Sequence, residues 1–293
     1  MTLKVMSAYD FDGAGRPVAT GIVSDRVFVC CEASTSVLAR ELAVPPRLGV
    51  WDLESGNQLG KWIPDATLER TVAVGEFANH PSVFTLGNGG EVEVWDASSG
   101  RVTKRVNVGV DWIFTFTVSQ VNGETLAIVS GGDITLRAWN LESGVKIGTV
   151  SDQVLGGPVY AVGAGEFGGE AIMAAGRDGA IKLWNLETRE SSELRCGTLA
   201  YRLKRLVLSE TKGNPIAVGA GMVQDEESYD TPYGPDWTYT EVRRWDLENG
   251  TTKCARIAAN DISGMTVGEV SGSPSVVTVH PSGEICVWGD FAS

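Results

Sequence analysis

The stretch MVQDEESYDTPYGPDWTYTE, residues 222–241, gathers acids and aromatics in one place. Asp225, Glu226, Glu227, Asp230, Asp236 and Glu241 occur there without a lysine or arginine, and Tyr229, Tyr233, Trp237 and Tyr239 stand among them. Aromatic rings bring a large contact area and a polar tip, which is the chemistry of interface anchors. Carboxylates beside them favour a basic peptide, an amine or a cation. The competing reading is a solvated hairpin whose aromatics pack on the scaffold.

Other residues able to do chemistry are scattered. His280, in VHPSGEICVW, is a candidate acid or base. Its His-Pro-Ser-Gly setting is also ordinary turn chemistry. His80, the other histidine, sits in ANHPSV and has no companion group. Asp10, Asp65, Asp111, Asp152 and Asp261 fall in connections between apolar runs. A ring of such carboxylates would suit a cation, but aspartate is common in turns and no clustered calcium loop occurs, so no metal is assigned. The five cysteines include the neighbours Cys30 and Cys31 and form no C-x-x-C, which predicts buried free thiols. Nucleophile-elbow, zincin, phosphate-loop and dinucleotide signatures are missing, so no cofactor is assigned.

The formal charge of −13, from 24 basic and 37 acidic residues, disfavours nucleic acid and anionic membranes as partners. It leaves open a basic protein, a cation or a neutral small molecule, and serves solubility in any case. MTLKVMSAYDFDG lacks the apolar core of a signal peptide, and no apolar run approaches the roughly 18 residues that span a bilayer. A cytoplasmic location is the expectation.

The elements that must position these residues repeat. LGVWDLESG (48–56), VEVWDASSG (92–100), LRAWNLESG (136–144), IKLWNLETR (181–189), VRRWDLENG (242–250) and ICVWGDFAS (285–293) share one pattern. Trp51, Trp95, Trp139, Trp184, Trp245 and Trp288 are separated by 44, 44, 45, 61 and 43 residues. About 23 residues before most of these tryptophans lies an apolar run such as VAVGEF (72–77) or VGAGEF (162–167), and a second such as SVFTLG (82–87) follows it. A half-polar run such as RVTKRVNV (101–108) comes after the tryptophan. Each unit therefore reads as inner strand, second strand, Trp strand and outer strand, the outer one alternating because one side meets water. A period near 44 with this ending marks a toroidal array of four-stranded blades.

The pattern resembles the WD-repeat family of β-propellers over nearly the whole chain. The resemblance is carried by the Trp-Asp/Asn-Leu endings and by the aspartate turns in GRDGAIKLW (176–184) and GGDITLRAW (131–139). In that family the tryptophan packs between blades and joins a buried polar network with a histidine. Here no blade has the family's Gly-His dipeptide, and Gly289 follows Trp288, which implies a divergent network. The expected fold is all-β: one domain over residues 1–293, a six-bladed propeller of four-stranded antiparallel blades. Five residues after Trp288 are too few for an outer strand, whereas TLKVMSA (2–8) is an outer strand without a blade. Pairing the two closes the ring and removes two sheet edges. A competing register makes residues 3–9 an inner strand.

The family's connectivity places outer-to-inner connections and the loops before each Trp strand on one face, around the narrow channel mouth. Rigid scaffolds present function on such loops. Both departures from the period fall there: EASTSVLARELAVPP (32–46) before Trp51, with a short amphipathic helix expected over 36–44, and the acidic aromatic stretch before Trp245. Trp112, Tyr160 and Tyr201 occupy corresponding positions at the starts of inner strands, with Arg202 beside the last, and can form an aromatic pocket or fill the interior. The leading expectation is a non-catalytic recognition propeller. It would bind a protein or peptide, basic in character, through Tyr229, Tyr233, Trp237 and Tyr239, steered by Asp225, Glu226, Glu227 and Asp230. The rival is a hydrolase, cyclase, isomerase or small-molecule binder at the channel mouth, lined by Trp112, Tyr160, Tyr201 and Trp237, with Asp111, Asp261 or His280 as acid or base. A third reading is an assembly scaffold that uses its sides or far face.

Overall fold

The apolar alternation and the polar breaks resolve into strands throughout. The computed structural model describes residues 2–7, 17–32, 47–60, 71–87, 89–110, 112–151, 159–177, 180–195, 201–211, 213–224, 237–257 and 261–289. In chain order the first strands are β1 (Thr2–Ser7), β2 (Pro17–Val23), β3 (Arg26–Glu32) and β4 (Leu48–Asp52). Next come β5 (Thr71–Phe77), β6 (His80–Leu86), β7 (Glu91–Asp96) and β8 (Arg101–Asn107), then β9 (Ile113–Val121), β10 (Glu124–Gly131), β11 (Thr135–Asn140) and β12 (Val145–Ser151). They are followed by β13 (Ala161–Phe167), β14 (Glu170–Arg177), β15 (Ala180–Asn185) and β16 (Ser191–Arg195), and by β17 (Tyr201–Thr211), β18 (Asn214–Gln224), β19 (Trp237–Asp246) and β20 (Thr252–Ile257). The last are β21 (Gly264–Val270), β22 (Ser273–Val279) and β23 (Glu284–Gly289).

The architecture is an all-β propeller of repeated meanders, but the expected six four-stranded blades are corrected to five blades. Four sheets have four strands each, and one has seven. The large sheet runs β1-β23-β22-β21-β3-β2 with β4 on β3, and β21 meets β3 through one parallel pairing, Glu269 with Arg26. The period of the tryptophans counts Trp strands. It carries no record of hydrogen bonds formed between one repeat and the next, and here such a bond merges two repeats into one sheet. β4 also lacks a full outer partner among the described residues, where a single bridge joins Trp51 to Gln58.

The ring closes through the N-terminal strand. β1 lies antiparallel to β23, from Thr2 opposite Gly289 to Ser7 opposite Glu284, so the first residues form the outer edge of the sheet that ends the chain. The register that made residues 3–9 an inner strand does not occur.

The repeated motif has a local cause. The Asp or Asn after five of the six repeat tryptophans folds back on its own turn: Asp52 Oδ1 accepts from the Ser55 amide at 2.8 Å, Asp96 Oδ1 from Ser99 at 2.7 Å, and Asn140 Oδ1 from Ser143 at 2.8 Å. Asn185 and Asp246 do the same with Thr188 and Asn249. The turns then need a left-handed residue, supplied by Gly56, Gly100, Gly144 and Gly250 and, in one case, by Arg189. The acids of the motif are therefore turn caps.

The core lies between sheets. β10 is buried along nearly its whole length, whereas β8 alternates, as strands between blades and at the rim should. Trp51, Trp245 and Trp288 are among the largest fully buried side chains. β2, β5, β9, β13, β17 and β21 surround a central channel of about 440 Å³. Their approach is close: a Cβ on Gly21 would lie 1.9 Å from the Val74 carbonyl oxygen. At the far end, Glu76 accepts from the Ser24 amide at 3.0 Å and Glu166 from the Asn122 amide at 2.8 Å, each tying an inner strand to the turn of a neighbouring hairpin.

Candidate functional site

The face of the inserted loops carries the long connections β3–β4 and β18–β19, together with the β8–β9, β10–β11, β12–β13 and β20–β21 connections. The β17–β18–β19 hairpins reach furthest, with strands of 11, 11 and 10 residues. The acidic aromatic stretch is thus partly strand. Trp237 pairs with Gln224 and Tyr239 with Val223, and the register shifts between Val223 and Gln224. Tyr201 also pairs with Val223, so Tyr201 and Tyr239 share one row across three strands, and Arg202 pairs with Met222 in the next. Asp225, Glu226, Glu227, Tyr229, Asp230 and Tyr233 lie outside the described residues, as do the helix expected over 36–44 and Asp10, Asp65, Asp111 and Asp152.

Trp112 and Tyr160 come to one place on this face. Trp112 is 80% exposed and has φ 55°. It borders an open hollow of about 450 Å³ with Gly109, Phe114, Gly132 and Asp133. Phe114 bridges to Tyr160, their ring centroids 5.6 Å apart and tilted by 52°. Phe114 and Ile134 were not singled out from sequence, and Asp133 was visible only as the aspartate of the GGDITLRAW turn. The signal for Phe114 was its place in the second position of the inner strand β9, close to Trp112 in sequence. Asp133 is occupied. Its Oδ1 accepts from the Thr135 amide at 3.2 Å, the Thr135 hydroxyl at 2.8 Å and Arg137 Nη1 at 3.1 Å, and Arg137 Nη2 donates to Oδ2. The Arg137 guanidinium holds this carboxyl well below the usual range.

His280 sits inside the protein, fully buried. Its Nδ1 lies 2.7 Å from the Asp261 carbonyl oxygen, which can only accept, so Nδ1 carries the proton. Nε2 then accepts from the Thr278 hydroxyl at 3.0 Å, and Thr278 Oγ1 accepts from Trp288 Nε1 at 3.3 Å. Indole, hydroxyl, imidazole and carbonyl form one directional chain that requires neutral histidine. Burial pushes the His280 pKa down, against the opposing pull of the Asp261 carbonyl. The first link recurs between Trp95 Nε1 and Thr85 Oγ1 at 3.1 Å, but Gly87 takes the turn position that His280 holds.

Asp261 faces away from the imidazole with its carboxylate. That group accepts from Lys204 Nζ at 3.1 Å and from the Ile262 amide at 2.9 Å. Asp261 and His280 thus meet through a backbone carbonyl rather than as a carboxylate–imidazole pair. Arg205, next to Lys204, donates from Nε and Nη2 to the Ser263 carbonyl at 3.1 and 2.9 Å, and burial lowers its pKa. Asp96, capped first by the Ser98 hydroxyl, and Asp246, capped first by the Asn249 amide, are shifted down like Asp133. Among the described residues no group of three or more His, Cys, Asp or Glu side chains is placed to hold a metal, and no helix is long and apolar enough to cross a membrane.

Fold and face together define a β-propeller of repeat architecture with its exposed aromatics gathered at one end. No family model matches the chain. Among curated proteins, autophagy-related protein 16 of Arabidopsis thaliana is 28% identical over 108 residues, which is 37% of this chain and 20% of that protein. The matched stretch thus spans a fifth of the length of that relative.

Proposed function

We propose that this propeller is a non-catalytic recognition scaffold. It binds a protein or peptide segment, basic in character, across the face that carries the inserted loops, and it does so in the cytoplasm. One observation carries the reading: the exposed aromatic residues Trp112, Phe114 and Tyr160 lie together at the end of the propeller where β18 stops and β19 starts. Exposed clustered aromatics on a rigid scaffold mark contact surfaces. In this reading Tyr229, Tyr233, Trp237 and Tyr239 anchor the partner, and Asp225, Glu226, Glu227 and Asp230 draw it in. Tyr201 and Arg202 support the row that holds Tyr239. The partial likeness to autophagy-related protein 16 agrees with a protein-binding role and supplies no partner.

Native mass spectrometry of the protein isolated gently from its own cells tests this. A protein partner should be retained by the natural chain and lost when residues 223–240 are replaced by a tight turn, with circular dichroism confirming that the replaced chain keeps its β structure. A retained small molecule, or a partner indifferent to the replacement, would retire the reading.

A further inference from the structure

The hollow beside Trp112 combines features that turn chemistry does not explain. Among the described residues six large apolar side chains are exposed: Trp112, Phe114, Ile134, Val145, Ile147 and Tyr160. Trp112 and Phe114 line the hollow, Tyr160 packs on Phe114, and Ile134 follows the lining residue Asp133 in the chain. The backbone adds an independent observation. Non-glycine residues with positive φ are mostly small, polar turn residues such as Ser24, Asp25, Asn79, Asn122 and Ser271. Trp112, at φ 55°, and Ile134, at φ 60°, are the bulky apolar exceptions, and both are exposed; Ile134 closes the β10–β11 turn, its amide donating to the Gly131 carbonyl at 3.0 Å, whereas Trp112 lines the hollow. A β-branched residue there is a genuine outlier, and glycine or asparagine would be the relaxed choice. Trp112 keeps a disfavoured backbone while its ring stays exposed, an outlier of the kind that clusters where a protein contacts a ligand.

The chemistry of the occupant follows from what the hollow has left to offer. Its carboxylate, Asp133, already accepts from Arg137 through both oxygens and from Thr135, so the wall is electrically settled. Gly109 and Gly132 present backbone and no side chains, and Trp112 and Phe114 supply the apolar part of the lining. That capacity suits one apolar side chain. Beyond the hollow the chain carries −13, which favours basic flanks on the incomer and disfavours a second copy of equal charge.

We propose that Trp112 and Phe114, the latter backed by Tyr160, form a seat for a single apolar side chain, presented by a basic segment of another protein. The proposal rests on the recognition reading for its face and partner charge, but not on residues 222–241 as anchors.

Selection of a displayed library of random short peptides on the full chain provides the probe. The selected peptides are then measured by fluorescence polarisation against the natural chain, Trp112→Gly, Phe114→Ala and the 223–240 replacement. The expected peptides carry one apolar residue between lysines or arginines. They should weaken about tenfold or more on Trp112→Gly and on Phe114→Ala. Trp112→Gly should keep or raise the thermal midpoint, because glycine accepts the left-handed backbone. Peptides without basic residues, peptides that bind both variants undiminished, or a selection that does not converge would overturn the seat. So would a natural chain that sediments as a dimer and becomes monomeric on Trp112→Gly, which would put a second copy there. Peptides sensitive to the loop replacement but not to Trp112→Gly would end this proposal and spare the recognition reading. The reverse pattern would keep the seat and end the role of residues 222–241.

Discussion

Thr278 connects two buried groups that no other described residue links: it accepts from Trp288 and donates to His280. Thr278→Val keeps the shape but strands the indole N–H and the imidazole Nε2, which should cost about 1–3 kcal/mol in urea unfolding. His280 also fixes a pH dependence. Its folded pKa lies below the ordinary value of 6.5, so the unfolded chain takes up the proton first. Stability is full above that value and falls as pH drops through it toward the folded pKa. Urea midpoints at about pH 8 and about pH 5.5 should differ less in His280→Gln than in the natural chain. Thiol labelling is a second residue-scale check. Burial pushes Cys31 up to about 12, Cys286 up to about 11 and Cys30 well above its usual value, whereas Cys254 is exposed. A thiolate reagent on the folded protein should label Cys254 and spare the other three. Mass mapping reads the result, and rapid labelling of Cys30 or Cys31 would contradict the burial.

At the scale of elements, β1 has the largest leverage. It covers the edge of β23 along six residue pairs, and the sheet it completes is the one that contains the last repeat. Deleting residues 2–7 exposes that edge to pairing with other chains. The thermal midpoint should fall by roughly 5 °C or more, and the protein should elute from gel filtration as larger species. A monomer with an unchanged midpoint would show that the strand is dispensable. The β17–β18–β19 hairpins are the second element of consequence. Their length carries Tyr201, Val223 and Tyr239 in one row toward the inserted loop, so that loop starts from paired strands.

The whole molecule acts through its charge. A field of −13 should speed the arrival of a basic segment and do little once it is seated. Association of the selected basic peptides should slow markedly between low salt and about 0.15 M, where the screening length is about 8 Å, while dissociation changes little. Stopped-flow measurement at both ionic strengths checks this. Association that ignores salt would mean that the field does not steer the partner.

Spacing and local chemistry made much of this protein legible from its residues. The tryptophan period, the Asp/Asn–Gly turns after it and the strand order within each repeat are local, and the long-range pairing of residues 2–8 with the last repeat was legible because that repeat lacks an outer strand and residues 2–8 are an outer strand without a repeat. The number of sheets was not legible, because the contact between Glu269 and Arg26 joins residues from opposite ends of the chain and leaves no mark on the period. His280 read as a candidate acid or base or as an ordinary turn residue, yet Thr278, Trp288 and the Asp261 carbonyl close around it, and burial alone distinguishes a core histidine from an acid–base one. The aromatic seat was half legible. Trp112 and Tyr160 were visible as aromatics at strand starts, but they belong to different repeats. Only packing of adjacent strands put Phe114 between them, and only the backbone shows that Trp112 and Ile134 are held in conformations their side chains resist.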